Sequence, residues 1–238
     1  MGKSLSSNKN KLIIKDENYP LQNSYSSKFF NSKWENYTNN LIKTIQIFKE
    51  DRNISNLADL LWENFDGLNE IHVLGNGGSA ANAHHIVGDF TKTFCLYKQN
   101  LKISSVSDNG CYLTAASNDI DFSEVYSFLI PHRIKPNDLV IFLSGSGNSS
   151  NLVKCALKAK DHRIKTACIT GYNGGRLSNL SDLSINFKID DMEIAEDLQL
   201  IVFHFIKQYL CERLVSEKNI EPFETQKYNK RISVDEVA

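Results

Sequence analysis

IHVLGNGGSAANAHH, residues Ile71 to His85, decides the fold. A short apolar run stops at a glycine-rich turn, and the turn opens onto a stretch with helical character. DLVIFLSGSGNSSN, Asp138 to Asn151, repeats the same grammar: an apolar run, a turn of glycines and hydroxyls, then a helix. Outward from these two segments, apolar runs at Ile71–Leu74, Ile103–Val106, Leu139–Leu143, Ala167–Thr170 and Leu183–Phe187 alternate with predicted helices. Those helices fall at about 79–94, 110–117, 122–130, 149–161 and 192–215. Alternating strand and helix with short connections predicts an α/β fold whose parallel sheet is covered on both faces.

Ahead of the first strand, Phe30, Trp34, Tyr37, Leu41, Ile45 and Phe48 recur at the spacing of one helical stripe. Ile54, Leu57, Leu60 and Leu61 suggest a second helix. Residues 1–27 are rich in Lys, Asn and Ser without a sustained period and read as a disordered arm. Residues 28–215 form the domain with its helical extension, and 216–238 read as a polar tail.

The 238 residues, 41% of them apolar, suffice for one sizeable core. With 27 Lys+Arg against 28 Asp+Glu, general attraction to nucleic acid or to an anionic membrane is not expected. No apolar run approaches the ~20 residues of a membrane span, and no apolar stretch follows the basic N-terminus as a secretory signal requires. Five scattered cysteines without a C-x-x-C pair argue against a disulfide framework and a cysteine zinc cage. A reducing cytoplasm is the expected compartment.

The chemistry concentrates in the two loops. Glycines let the backbone turn sharply and present its N–H groups, and a helix N-terminus adds orphan donors and a positive dipole end. In the first loop Asn76, Gly77, Gly78 and Ser79 can face an anion; in the second, Ser144, Gly145, Ser146, Asn148 and Ser149 can. Gly75-x-Gly77-x-x-Ala80 also satisfies a relaxed dinucleotide fingerprint, yet the acid expected about 20 residues on is absent. No Gly-Lys-Ser/Thr follows, so neither loop is a Walker loop. Either loop alone could be a plain turn. Two at the carboxyl ends of two parallel strands point to a small phosphomonoester.

These loops occur in order with SVSDN (Ser105–Asn109), SNDIDFSEVYS (Ser117–Ser127) and TGYNGGRLSNLSD (Thr170–Asp182). Over about residues 30–213 the chain resembles the sugar isomerase (SIS) domain of the phosphoheptose isomerase family. The resemblance implies a flavodoxin-like three-layer α/β sandwich with a five-stranded parallel sheet, usually a homotetramer with sites shared between subunits. It implies conversion of sedoheptulose 7-phosphate to a heptose 7-phosphate, often with zinc, on the way to nucleotide-activated heptose for lipopolysaccharide, capsule or surface glycan.

Moving a carbonyl between C1 and C2 needs a base, an acid and a group to hold the enediolate. His85 and Asp89, four apart, share one helical face; Glu196 and His204, eight apart, roughly share another. Two His and two carboxylates suit Zn²⁺, one per subunit. By resemblance His85 is the metal histidine after the first loop, and His204 is a ligand and acid/base. Asp89 stands where the best-known members carry the catalytic glutamate, Glu196 where they carry a glutamine ligand, and Ile194 where an arginine is usual. Asp89 as base and Asp89 as metal ligand compete. Asp108, Asn118 and Asp119 fall, by resemblance, beside the sugar hydroxyls.

Each residue has a plainer reading. His204 could be a core histidine, His85–Asp89 an i,i+4 pair, Glu196 a first-turn acid, and 117–119 a turn. His84 points about 100° from His85, and His72 and Cys111 read as structural. Two rival functions remain: a non-catalytic SIS module that senses a phosphosugar or binds a partner, and an isomerase of another phosphosugar such as a pentose 5-phosphate.

Overall fold

The computed structural model describes residues 24–65 and 67–218. Most of the expected N-terminal arm, and the tail beyond 218, lie outside the described residues. The chain divides into two compact units, Met1–Asn39 and Asn40–Ala238. In the first, the described residues belong to helix α1 (Ser24–Ile47), and Phe30 and Trp34 of the apolar stripe are exposed there.

The second unit holds α2 (Arg52–Trp62), β1 (Glu70–Gly75), α3 (Gly77–Leu96), β2 (Lys102–Ser104), α4 (Gly110–Asp119), β3 (Leu139–Ser144), α5 (Ser150–Asp161), β4 (Lys165–Thr170), α6 (Leu177–Leu180), β5 (Leu183–Asn186) and α7 (Met192–Lys218). The strands pair in parallel in the order β2-β1-β3-β4-β5. Ile71, Val73, Leu74 and the whole of Leu139–Leu143 are at most 1% exposed, which is why β3, and β1 apart from the buried His72, read as apolar runs rather than alternations. On one face Leu74, Val140, Phe142 and Cys168 pack against Leu152, Val153 and Cys155 of α5 and against Tyr126 and Ile130. Elsewhere in the core Phe90 of α3 meets Phe203 of α7 edge to face.

The order 2-1-3-4-5 reverses direction at β1. β1 and β3 are therefore neighbours whose chains leave toward opposite sides, and the crevice between their carboxyl ends is the switch point where such sheets bind ligands. Both glycine loops emerge there.

One expected helix is not formed. Residues 122–130 make two single 3-10 turns, Phe122–Glu124 and Ser127–Leu129. The Asp121 side chain takes the Ser123 N–H, and Pro131 disfavours helical backbone at the residue before it. Val125, Tyr126 and Ile130 are pinned in the core instead. β2 also ends earlier than expected, at Ser104, because Val106–Asp108 turns as a 3-10 element. No helix among the described residues is long and apolar enough to cross a membrane.

Candidate active site

The two loops are stitched together. Asn76, at the head of α3, and Asn151, in the first turn of α5, exchange reciprocal amide hydrogen bonds, both 2.9 Å. Asn151 is 1% exposed and also accepts the Leu152 N–H. Tyr126, buried, donates its hydroxyl to Gly75 O at 2.7 Å and so fixes the start of the first loop. Burial pushes that phenol up to about 12, so it remains a donor.

The second loop is braced by Thr170–Leu177, the third segment of the family resemblance. Gly171 N–H donates to Gly145 O, Leu177 N–H to Gly147 O, and Arg176 N–H to the Asn148 side chain. Gly147 has φ +64°, and a Cβ there would sit 2.1 Å from Gly174 O, so only glycine fits. Ser144 is buried and its Oγ accepts the Gly147 N–H; Ser146 Oγ accepts the Asn148 N–H. Ser149 flanks α5 at its N-terminus without a capping hydrogen bond from its side chain. A cleft of about 380 Å³ opens beside this loop, lined by Ser146, Asn148, Tyr172, Asn173, Asp190 and Met192.

From the first loop a polar seam runs between α3 and α7. Ser79 Oγ donates to Glu196 Oε1 (3.2 Å) and accepts from Gln199 Nε2 (3.2 Å). Asn82 Nδ2 reaches both Glu196 O (2.9 Å) and Gln199 Oε1 (3.0 Å). One turn on, His85 Nε2 and His204 Nε2 are 2.9 Å apart. Next, Asp89 pairs with Lys207. Gln199 is fully buried, so its bonds cannot be exchanged for water, and they fix the register that brings His204 to His85. Asn82, Asn151 and Tyr126 lie inside the quoted segments without being marked by them, and Gln199 and Lys207 lie outside any motif; the helix register or the loop packing reveals all five.

The donor atoms of His85, Asp89 and His204 all lie within 4.8 Å of one another. Two imidazoles and a carboxylate are a donor set that fits Zn²⁺ and leaves a position for substrate. Glu196, expected as a fourth ligand, is outside this group. It lies two turns and about 12 Å along the helix from His204, and its carboxylate overhangs Gly78, where a Cβ would fall 2.1 Å from Oε2. Burial would raise the Asp89 carboxyl, but the hydrogen bonds from Lys207 and Lys92 outweigh it and hold the group below the usual range. Burial foremost, then His85 and Lys207, lowers the His204 imidazole, which favours its neutral form.

The remaining expected residues are not drawn into this cluster. Asp108 is exposed at a separate cleft with Tyr112 and Arg133. Asn118 donates to Asp119 on the exposed last turn of α4. His84 meets Ser107, and His72 is buried between Ser104 and Asp138. Cys155 and Cys168 are core residues, as their apolar surroundings suggest; burial pushes the Cys155 thiol up to about 12.

The profile of the SIS domain matches residues 33–171. A phosphoheptose isomerase from Helicobacter pylori (strain Shi470) is 33% identical over 179 residues, covering 75% of this chain and 92% of the relative. A probable phosphoheptose isomerase from Thermoplasma acidophilum is 32% identical over 160 residues, 67% of this chain and 88% of that protein. The solved phosphoheptose isomerase of Neisseria gonorrhoeae superposes with TM-score 0.69 over 76% of this chain and 97% of that one; at 21% identity this speaks to the fold. With paired loops at the switch point, a histidine–carboxylate cluster on the seam that begins at the first of them and relatives at this identity, the chain belongs to the phosphoheptose isomerase family of SIS-domain proteins.

Proposed function

We propose that the chain is an aldose–ketose isomerase that converts sedoheptulose 7-phosphate to D-glycero-D-manno-heptose 7-phosphate. The observation that carries the reading is the meeting of His85, Asp89 and His204 on the seam that begins at the first loop, in a chain whose relatives are named phosphoheptose isomerase. The hydroxyls of Ser79, Ser144, Ser146 and Ser149, with the amides of the two loops, take the phosphate, and Asn76 lies near the sugar chain. Neutral donors hold a phosphomonoester without the permanence of a lysine clamp, which suits a substrate that must leave.

Asp89, ionised at neutral pH, receives the proton from C1 of the ketose and returns it to C2 of the enediolate. His204, held neutral, exchanges protons with the two oxygens, and His85 fixes its ring. Glu196, beside Ser79, accepts from sugar hydroxyls entering over Gly78. A zinc held by His85, Asp89 and His204 would polarise the carbonyl as a Lewis acid. A carboxylate has two oxygens, so Asp89 can ligate through one and move the proton with the other.

The product's place is the first step toward nucleotide-activated heptose for a surface glycan, in the cytoplasm. Homotetramer formation is supported by the apolar groove of about 640 Å³ lined by Ile45, Phe48, Ile54, Leu198, Ile201 and Phe205. Phe205 is 58% exposed, an area that a neighbouring subunit would cover. Following the proton NMR signals of sedoheptulose 7-phosphate tests the activity: growth of aldose signals is expected, and an unchanged spectrum with bound sugar would favour a phosphosugar sensor.

A further inference from the structure

Both oxygens of Asp89 face a lysine. Lys92 Nζ approaches Oδ1 at 3.1 Å, and Lys207 Nζ pairs with Oδ2. The two lysines are not equivalent. Lys92 lies one turn along the same helix with a side chain 58% exposed, where an ion pair is screened and weak. Lys207 comes from the facing helix, one turn beyond His204; its side chain is 21% exposed against 12% for Asp89. A cation entering between His85 and His204 therefore meets an ammonium on the carboxylate it needs, at a pair less open to water than Lys92–Asp89.

We propose that Lys207 is a built-in competitor for the cation position: its ammonium holds Asp89 and sets how tightly the His85–Asp89–His204 group binds a divalent metal. The proposal rests on the reading that this group takes a metal. Loading then requires the Lys207 side chain to swing off Asp89, which its four-carbon stem allows. Lys207 is a positioning residue in this account, since it acts through Asp89. Once His85 meets His204, the spacing along the two helices carries the pairing on. Lys207 is three residues past His204, and Asp89 four past His85, so a register that joins the histidines must join Lys207 to Asp89. A lysine that merely oriented Asp89 as a ligand would have the opposite effect, because its removal would loosen the metal.

The test is zinc titration of the chelator-stripped full chain by calorimetry and by competition with a chromophoric chelator at pH 7. Lys207→Met and Lys207→Gln are expected to tighten the zinc Kd at least about tenfold, the scale of losing one partly desolvated ion-pair partner. Lys207→Arg keeps the charge and is expected within about threefold of the parent, as is Lys92→Met at the screened site. Circular dichroism selects the variants that fold, and either neutral replacement suffices. Zinc binding by both folded neutral variants that is no tighter than the parent's, or no zinc binding by any of the chains, overturns the proposal. Isomerase activity is read separately by deuterium uptake, so failure here and failure of the functional reading are distinguishable.

Discussion

His85 Nε2 and His204 Nε2 face each other at 2.9 Å across α3 and α7. Two imidazole nitrogens at that distance share one proton or one cation; they cannot both carry a proton toward the other. The arrangement makes His204 a group whose proton is easily exchanged, in keeping with the lowering of its imidazole by burial and by His85. Replacing His204 by Ala is expected to lower kcat by about 10²–10⁴, the usual range for a general acid–base group, with KM changed only a few-fold. Steady-state kinetics on the purified variant checks this; an unchanged kcat removes His204 from proton transfer.

Asn151→Ala leaves the Asn76 amide without its reciprocal partner. The expected cost is about 1–3 kcal/mol of stability, and the loosened loops should raise KM for the sugar phosphate while kcat falls less. Urea unfolding and kinetics together read both effects. Loss of stability with KM unchanged would make the pair a packing feature only.

Two glycine replacements separate fold from site. At Gly147 a new Cβ meets the Gly174 backbone and the residue must keep φ +64°, so Gly147→Ala should destabilise by about 1–3 kcal/mol and abolish phosphate binding. At Gly78 the atoms nearest the new Cβ all belong to the end of the Glu196 side chain, which can move. Gly78→Ala should therefore unfold within about 1 kcal/mol of the parent yet turn over more slowly. Equal thermal shifts for the two variants would contradict this.

His72 offers a pH signature remote from the cluster. Burial lowers its imidazole below the ordinary 6.5, although Glu70 and Asp138 pull the other way. Between the folded and unfolded values the unfolded chain binds the extra proton, so stability falls as pH drops below about 6.5 and continues to fall until the folded value is reached. Urea midpoints measured from pH 7 to pH 5 should show this decline, and His72→Gln should flatten it. A decline of the same slope in the variant would assign it to other groups.

The fold was legible because β1 and β3 are buried on both faces and each runs straight into a glycine turn. Those two facts placed the sheet, the loops and the switch point. The 122–130 segment misled because Val125, Tyr126 and Ile130 have helix-compatible spacing while a proline and an aspartate cap decide the backbone. Helical spacing pairs His85 with Asp89, and the family resemblance adds His204 as the third candidate. Glu196, expected as a fourth ligand from same-face spacing, stands outside the group whose donor atoms meet, two turns of rise from His204 and beside Ser79 instead. Lys207, Gln199 and Asn82 stayed hidden because each matters only through the register of α3 against α7, and no single helix contains that information.

The account's central claim is that Asp89 moves a proton on the sugar carbon chain. Incubating the chain with sedoheptulose 7-phosphate in D₂O, with zinc supplied, and reading the carbon-bound positions by NMR tests it most directly. Deuterium should enter at C1 of the ketose and C2 of the aldose, and Asp89→Asn should stop its entry while phosphate affinity stays nearly intact. Isomerisation that continues at the parent rate in Asp89→Asn, or sugar phosphate that binds for hours without acquiring deuterium, would contradict the account.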